Sequence, residues 1–333
     1  MRRLFILIAS LFLFTCLENN PVSDDSSATK TQKPRFYLQR DTSFFSLPCY
    51  VHFMFQVKEY NERGVSTMTL DDFILKEDDL PLSSSESDVH FRNHQTINYT
   101  IKTVLMLDNS ASVKENLPVI KTAAKTLIQK LFRYQKVALY SFSDHPTLLL
   151  DFTDDAGALR TAIDGLQPGP QTTDLYGAVI IGTYQWQDVR SVDAIEQGFL
   201  VLLTDGRDTQ SRWTLQQALD ARKDKRVFAV GVGKEIDPVV LGKIANQGFT
   251  HLNNYETLPQ KFGDIEDEIL DWANSFYWIV YQSPKRGNKD HLLKLIMLTP
   301  GERAPVDSLT VSYNSAFFYS LPSSGFRGQW VRR

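Results

Sequence analysis

Between residues 101 and 275 the chain alternates short, continuously apolar runs with longer amphipathic stretches, and few architectures satisfy that alternation. Runs such as "GFLVLLT" at 198–204 and "RVFAVGV" at 226–232 have no polar side to turn toward water. They suit strands buried on both faces, as in a parallel sheet covered by helices. Strands are expected at 102–108, 136–142, 147–152, 198–204, 226–232 and 249–253, with helices near 117–133, 156–164, 175–188, 214–224, 238–246 and 258–275. Only 136–142 and 147–152 are joined closely enough for a hairpin, which predicts one antiparallel edge strand in an otherwise parallel, six-stranded, doubly wound sheet.

The flanking segments read differently. At 49–57, "CYVHFMFQV" places Val51, Phe53, Phe55 and Val57 on one side of a period-two pattern, followed by the turn-forming "NERG", and a serine-rich loop is expected at 83–88. After 276, "FYWIVYQS", "HLLKLIML" and "SLTVSYN" are separated by turn formers. Neither flank holds enough strands for a sandwich alone. Residues 36–100 and 277–333 are therefore expected to pair into one β-sandwich, with the α/β domain of 101–276 inserted between them.

The first sixteen residues put Arg2 and Arg3 before an apolar run from Leu4 to Phe14, too short for a stable transmembrane helix and suited to a secretory signal. Cys16 closes that run. The segment resembles a bacterial lipoprotein signal, which implies lipidation of Cys16 and an envelope location, in the outer membrane or on the periplasmic face. Ordinary signal cleavage nearby is the alternative. A lipidated Cys16 leaves Cys49 with no cysteine partner, since the chain has two cysteines, and stability then has to come from the core. Residues 17–35 are polar and read as a flexible tether. A net charge of -3, with the one dense charge run "RKDKR" mixing signs, gives no basic surface for nucleic acid.

The polar punctuation of the α/β region carries the chemistry. "TVLMLDNSAS" at 103–112 ends an apolar strand in Asp108, Ser110 and Ser112. "LLTDGRD" ends another in Asp205, and "QTTDLYGAV" brings Thr172 and Thr173 to a loop before a helix. In an open doubly wound sheet these positions gather at the carboxyl edge, where ligands bind at the reversal of strand order. Carboxylates, hydroxyls and waters are hard oxygen ligands that suit Mg²⁺, with Mn²⁺ or Ca²⁺ as relatives. One alternative is that Ser112 and Glu115 form a capping box with no metal. Pro118 opposes it, because a helix starting at 113 would place the proline in its interior at a cost of about 3 kcal/mol. The helix is expected to begin at 116–118 with Asn116 as its cap, leaving Ser112 in the loop.

"DNSAS" resembles the D-x-S-x-S signature of von Willebrand factor type A domains, "TDLYGAV" their T-x-L-x-x-A segment and "LLTDGRD" their strand-end T-D-G. The resemblance covers roughly 101–275. It implies a metal-ion-dependent adhesion site in which Ser110, Ser112 and Thr173 touch the cation directly or through water, while Asp108 and Asp205 act mainly through waters. The family often has glycines before its threonine, where this chain has "PGPQT", so Thr172 stays open as a substitute; the spacing to Leu175 and Ala178 favours Thr173. Asp208 is expected to orient its own loop, and Asp144 with His145 to form a polar loop at the same edge.

The function implied is non-enzymatic: an envelope protein, attached to the membrane through a lipid anchor, whose cation is completed by an Asp or Glu carboxylate of a protein partner. The insertion resembles that of integrin β subunits, and the helix at 258–275 runs directly into a sandwich strand. A metal-dependent hydrolase is a second reading, opposed by the lack of D-x-D at the first strand, of H-E-x-x-H and of G-x-S-x-G. A metal-free envelope scaffold is the third.

Overall fold

The structure, a computed structural model, describes residues 36–47, 49–60, 63–82, 87–93, 96, 98–129, 134–190, 194–299 and 301–319. The expectations for the signal, Cys16, the tether and part of the 83–88 loop fall outside these residues.

The α/β sheet runs β12-β11-β10-β6-β7-β8, with β9 paired to the far end of β10. Its strands are β6 (Asn98–Asp108), β7 (Gln135–Phe142), β8 (Pro146–Thr153), β9 (Val189–Arg190), β10 (Ala194–Thr204), β11 (Arg226–Val232) and β12 (Gly248–Leu252). The pairs β6–β7, β6–β10, β10–β11 and β11–β12 are parallel, and β7–β8 is antiparallel as the short connection predicts. The apolar run of β6 serves both faces. Ile101, Leu105 and Leu107 join one core with α1 (Leu117–Gln129), α2 (Ala156–Asp164) and α6 (Leu258–Asn274). Val104 and Met106 join the other core with α3 (Leu175–Thr183), α4 (Leu215–Ala221) and α5 (Pro238–Ile244).

Several helices stop short of expectation. Residues 130–133, the expected end of the first helix, lie outside the described residues, while α4 stops at Ala221 rather than 224 and α5 at Ile244 rather than 246. The helix expected over 175–188 stops at Thr183, because Trp186 must leave the helical path to pack over Gly198 of β10. A Cβ at Gly198 would lie 2.1 Å from the indole ring, so the absence of a side chain there makes the packing possible.

Around this unit the flanking segments form two antiparallel sheets. One has the order β1-β2-β13-β5, from β1 (Phe36–Ser46), β2 (Tyr50–Glu59), β13 (Phe276–Gln282) and β5 (His90–Arg92). The other has the order β15-β14-β3-β4, from β15 (Pro305–Asn314), β14 (Asp290–Leu298), β3 (Phe73–Glu77) and β4 (Leu80–Pro81). The expected architecture, a doubly wound sheet inserted in a sandwich built from both flanks, is the one observed.

Val51, Phe53, Phe55 and Val57 face the sandwich core, as does the buried thiol of Cys49. Within it the Glu77 carboxyl group accepts from the hydroxyls of Tyr281 at 2.9 Å, Ser283 at 2.8 Å and Tyr313, hydrogen bonds that tie both sheets together. The opposite side of β2 is buried too. Met54 shares a core cluster with the α/β unit, while Gln56 donates to Ser275 Oγ at 2.7 Å, at the junction of α6 and β13. No described helix is long and apolar enough to cross a membrane.

Candidate metal centre

β6 lies between β10 and β7, so the chain leaves β6 and β10 toward opposite sides of the sheet. The crevice beyond their carboxyl ends is the switch point of the fold. Asp108 is the last residue of β6, and Asp205 follows the last residue of β10. After Asp108 a 3-10 turn over Ala111–Asn116 leads into α1, with Pro118 in the first helical turn where its missing N–H costs nothing. Ser112 therefore sits in a 3-10 turn rather than an open loop, and its hydroxyl points to Asp205 instead of capping the helix.

The loop carrying Thr173 is fastened to this turn. Gly169 N–H donates to Asn109 O at 2.6 Å, and Ala111 N–H donates to Pro170 O at 3.0 Å. A Cβ at Gly169 would come within 2.5 Å of Ser143 Oγ, so this glycine lets the two loops approach. Asp174 caps α3 by accepting from Gly177 N–H at 3.1 Å. These contacts bring buried Thr173 against Gly206, where its Oγ1 would be 3.4 Å from an added Cβ. The Thr173 hydroxyl makes no hydrogen bond to another described residue, whereas Thr172 Oγ1 accepts from Gln210 Nε2 at 2.8 Å. Thr173 is thus the threonine with a free oxygen at this edge.

Asp108, Ser110, Ser112 and Asp205 form a continuous row. Ser110 Oγ donates to Asp108 Oδ1 at 2.6 Å, Ser110 and Ser112 hydroxyls are 3.0 Å apart, and Ser112 Oγ donates to Asp205 Oδ1 at 2.8 Å. Ser110 N–H adds a bond to Asp108 Oδ1 at 2.9 Å, and Thr204 Oγ1 donates to Asp108 Oδ2 at 2.7 Å. The row runs from the fully buried Asp108 and Ser110 to the exposed Ser112.

Counting protons shows what this arrangement fits. With both carboxylates ionised, each serine gives its one hydroxyl proton to a carboxylate, and the Ser110–Ser112 contact is left with none. Burial first, opposed by the Ser110 and Thr204 hydrogen bonds and reinforced by the charge of Asp205, pushes the Asp108 carboxyl up to about 6. Asp205 is also raised, chiefly by burial. Among the described residues no basic side chain bonds to either carboxylate. Two anions flanking a proton-poor pair of hydroxyl oxygens form a hard-oxygen set that a divalent cation neutralises. No group of three or more His, Cys, Asp or Glu side chains able to hold a metal occurs among the described residues, so the donor set depends on hydroxyls.

Residues 103–207 match the family model of the von Willebrand factor type A domain. The chain carries a von Willebrand factor type A domain. The matched span contains all five expected ligand positions, Asp108, Ser110, Ser112, Thr173 and Asp205. No curated protein matches the chain. Solved structures similar to it include a von Willebrand factor type A protein from Catenulispora acidiphila, 12% identical over 87% of this chain and 75% of that one, with a TM-score of 0.46. Proximal thread matrix protein 1 from the mussel byssus, described with a zinc-occupied MIDAS motif, is 18% identical over 58% of this chain and 49% of that one, with a TM-score of 0.44. The chain thus spans about half the length of the mussel protein. The vWF domain of the type V pili tip protein Mfa5 from Porphyromonas gingivalis is 13% identical over 52% of this chain and 96% of that one, with a TM-score of 0.43.

Two residues at the type A domain's edge were given no role by the sequence. Thr204 is visible in it as part of the strand-end T-D-G. Tyr255, whose hydroxyl donates to Asp205 Oδ2 at 3.2 Å, has no motif around it. Asp208 orients its own loop by accepting from Ser211 N–H at 2.9 Å, and ties that loop to α3 by accepting from Tyr176 N–H at 3.2 Å. Asp144 pairs with His145 at 3.0 Å in an exposed loop.

Proposed function

We propose that the type A domain binds a divalent cation, Mg²⁺ in the first instance, at Asp108, Ser110, Ser112, Thr173 and Asp205, and through it binds a protein partner. The proton-poor Ser110–Ser112 contact between two carboxylates carries this reading. When bound, the cation supplies a Lewis-acidic position able to accept a carboxylate from an Asp or Glu of the partner. The chain's own residues do the rest. Ser110, Ser112 and Thr173 present neutral oxygens, and Thr204 fixes the buried carboxylate of Asp108. Neutral donors leave a cation more electrophilic than a cage of carboxylates would.

The protein acts without catalysis in this reading. It is secreted across the inner membrane and held in the bacterial envelope by lipid on Cys16, with residues 17–35 as tether. The signal-like first sixteen residues and the polar composition after them support that placement. The test is partner capture from envelope extract with Mg²⁺, with chelator, and with Asp205→Ala. Capture that needs Mg²⁺ and is lost in the variant supports the proposal, and identical captures in all three overturn it. Palmitate labelling that persists in Cys16→Ser would remove the anchor from the account.

A further inference from the structure

Tyr255 lies just beyond β12, in the segment that leads into α6, at the same carboxyl edge as Asp205. Both oxygens of Asp205 are held. Ser112 donates to Oδ1 at 2.8 Å from the turn before α1, and Tyr255 donates to Oδ2 at 3.2 Å from the turn before α6. The Tyr255 carbonyl accepts from Leu258 N–H at 3.1 Å, the first residue of α6, and its ring packs against the core shared with α1 and α6. The phenol is therefore placed by the main chain and by packing before it reaches the carboxylate.

We infer that Tyr255 is a positioning residue for the cation site: it holds Asp205 in the rotamer that turns Oδ1 toward Ser112. The inference rests on the cation reading of the same edge. A carboxylate that acts on a cation largely through hydrogen-bonded waters gains from having its orientation fixed, and loss of such outer partners typically weakens metal binding by about 10–100-fold. Tyr255→Phe removes the hydroxyl and keeps the ring.

The test measures Mg²⁺ and Mn²⁺ affinity of the wild-type chain and Tyr255→Phe by calorimetry, with each protein's metal-free thermal midpoint and the electron paramagnetic resonance spectrum of bound Mn²⁺. The expected result is affinity weaker by about 10–100-fold, a metal-free midpoint close to wild type, and a changed Mn²⁺ line shape. Wild-type protein without saturable binding sinks the cation reading itself. Equal affinities in both proteins overturn the role of Tyr255 alone. Weaker affinity with an unchanged Mn²⁺ spectrum and a lowered metal-free midpoint overturns it too, by making the hydroxyl merely structural. If Tyr255→Phe does not fold, Tyr255→Leu, which removes the donor and keeps apolar bulk against the core, is held to the same criteria.

Discussion

Thr204 and Asp108 end neighbouring parallel strands, and the threonine hydroxyl donates to Asp108 Oδ2 at 2.7 Å while lying 1% exposed itself. The contact joins two strands from opposite sides of the switch point and satisfies half of a fully buried carboxylate. Thr204→Val keeps the shape and removes the donor. Loss of a hydrogen bond to a charged group of this kind costs about 1.5–3 kcal/mol. Urea unfolding should show that loss, with Thr204→Ser restoring most of it.

Binding to the folded state alone should raise stability with cation concentration. At a hundredfold excess over the dissociation constant the gain is about 2.7 kcal/mol. Thermal unfolding with increasing Mg²⁺ should show a rising midpoint in the wild-type chain and a flat one in Asp108→Asn or Ser112→Ala. A midpoint that rises equally in all three would place the ion elsewhere.

Gly169 sets how closely the Thr173 loop approaches the Asp108 turn. Gly169→Ala puts a Cβ within 2.5 Å of Ser143 Oγ and 3.0 Å of Asn109 Nδ2, so the loop must move outward. Overpacking of this kind costs about 1–3 kcal/mol. Since the loop carries Thr173, weakened Mg²⁺ affinity should accompany the lower stability. Calorimetry and urea unfolding of the same variant check both.

His52 gives the sandwich a pH dependence of its own. Burial, and secondarily the charge of Arg92, lower its imidazole to about 4, and Nε2 bonds to Ser46 Oγ at 2.8 Å. Between pH 6.5 and 4 the unfolded chain therefore takes up a proton that the folded chain refuses. This contribution is fully present above about pH 6.5 and is lost as pH falls to about 4, reaching about 3 kcal/mol. Urea midpoints across that range should fall for the wild-type chain and fall less for His52→Gln.

Much of the α/β unit was legible because its signals are local. A strand buried on both faces announces itself as an unbroken apolar run, and a candidate ligand at a strand end follows that run directly, as Asp108 follows "TVLML". What escaped depends on distant partners. The second buried face of β2 exists because Met54 and Gln56 meet the α/β unit, more than two hundred residues along the chain in the case of Ser275. Tyr255 and Asp205 meet only because β12 and β10 finish at one edge. The end of α3 at Thr183 was set by a glycine on β10, outside any window read along the helix itself.

The insertion also fixes an order of events during folding. Phe276 pairs with Gln56, so β13 can join β2 only by closing a segment on the order of 200 residues, at an entropic cost of about 5 kcal/mol plus a constant. The inserted unit removes most of that cost once it is native. Its chain arrives from β5 and departs into β13, and those two strands are direct neighbours, with Phe91 opposite Ile279. A folded insert thus delivers the late strand beside the early one, and the flanks are expected to zip up last, templated by their own passenger. Pulsed hydrogen exchange should find the amides of β6 and β10 protected before those of β2 and β13.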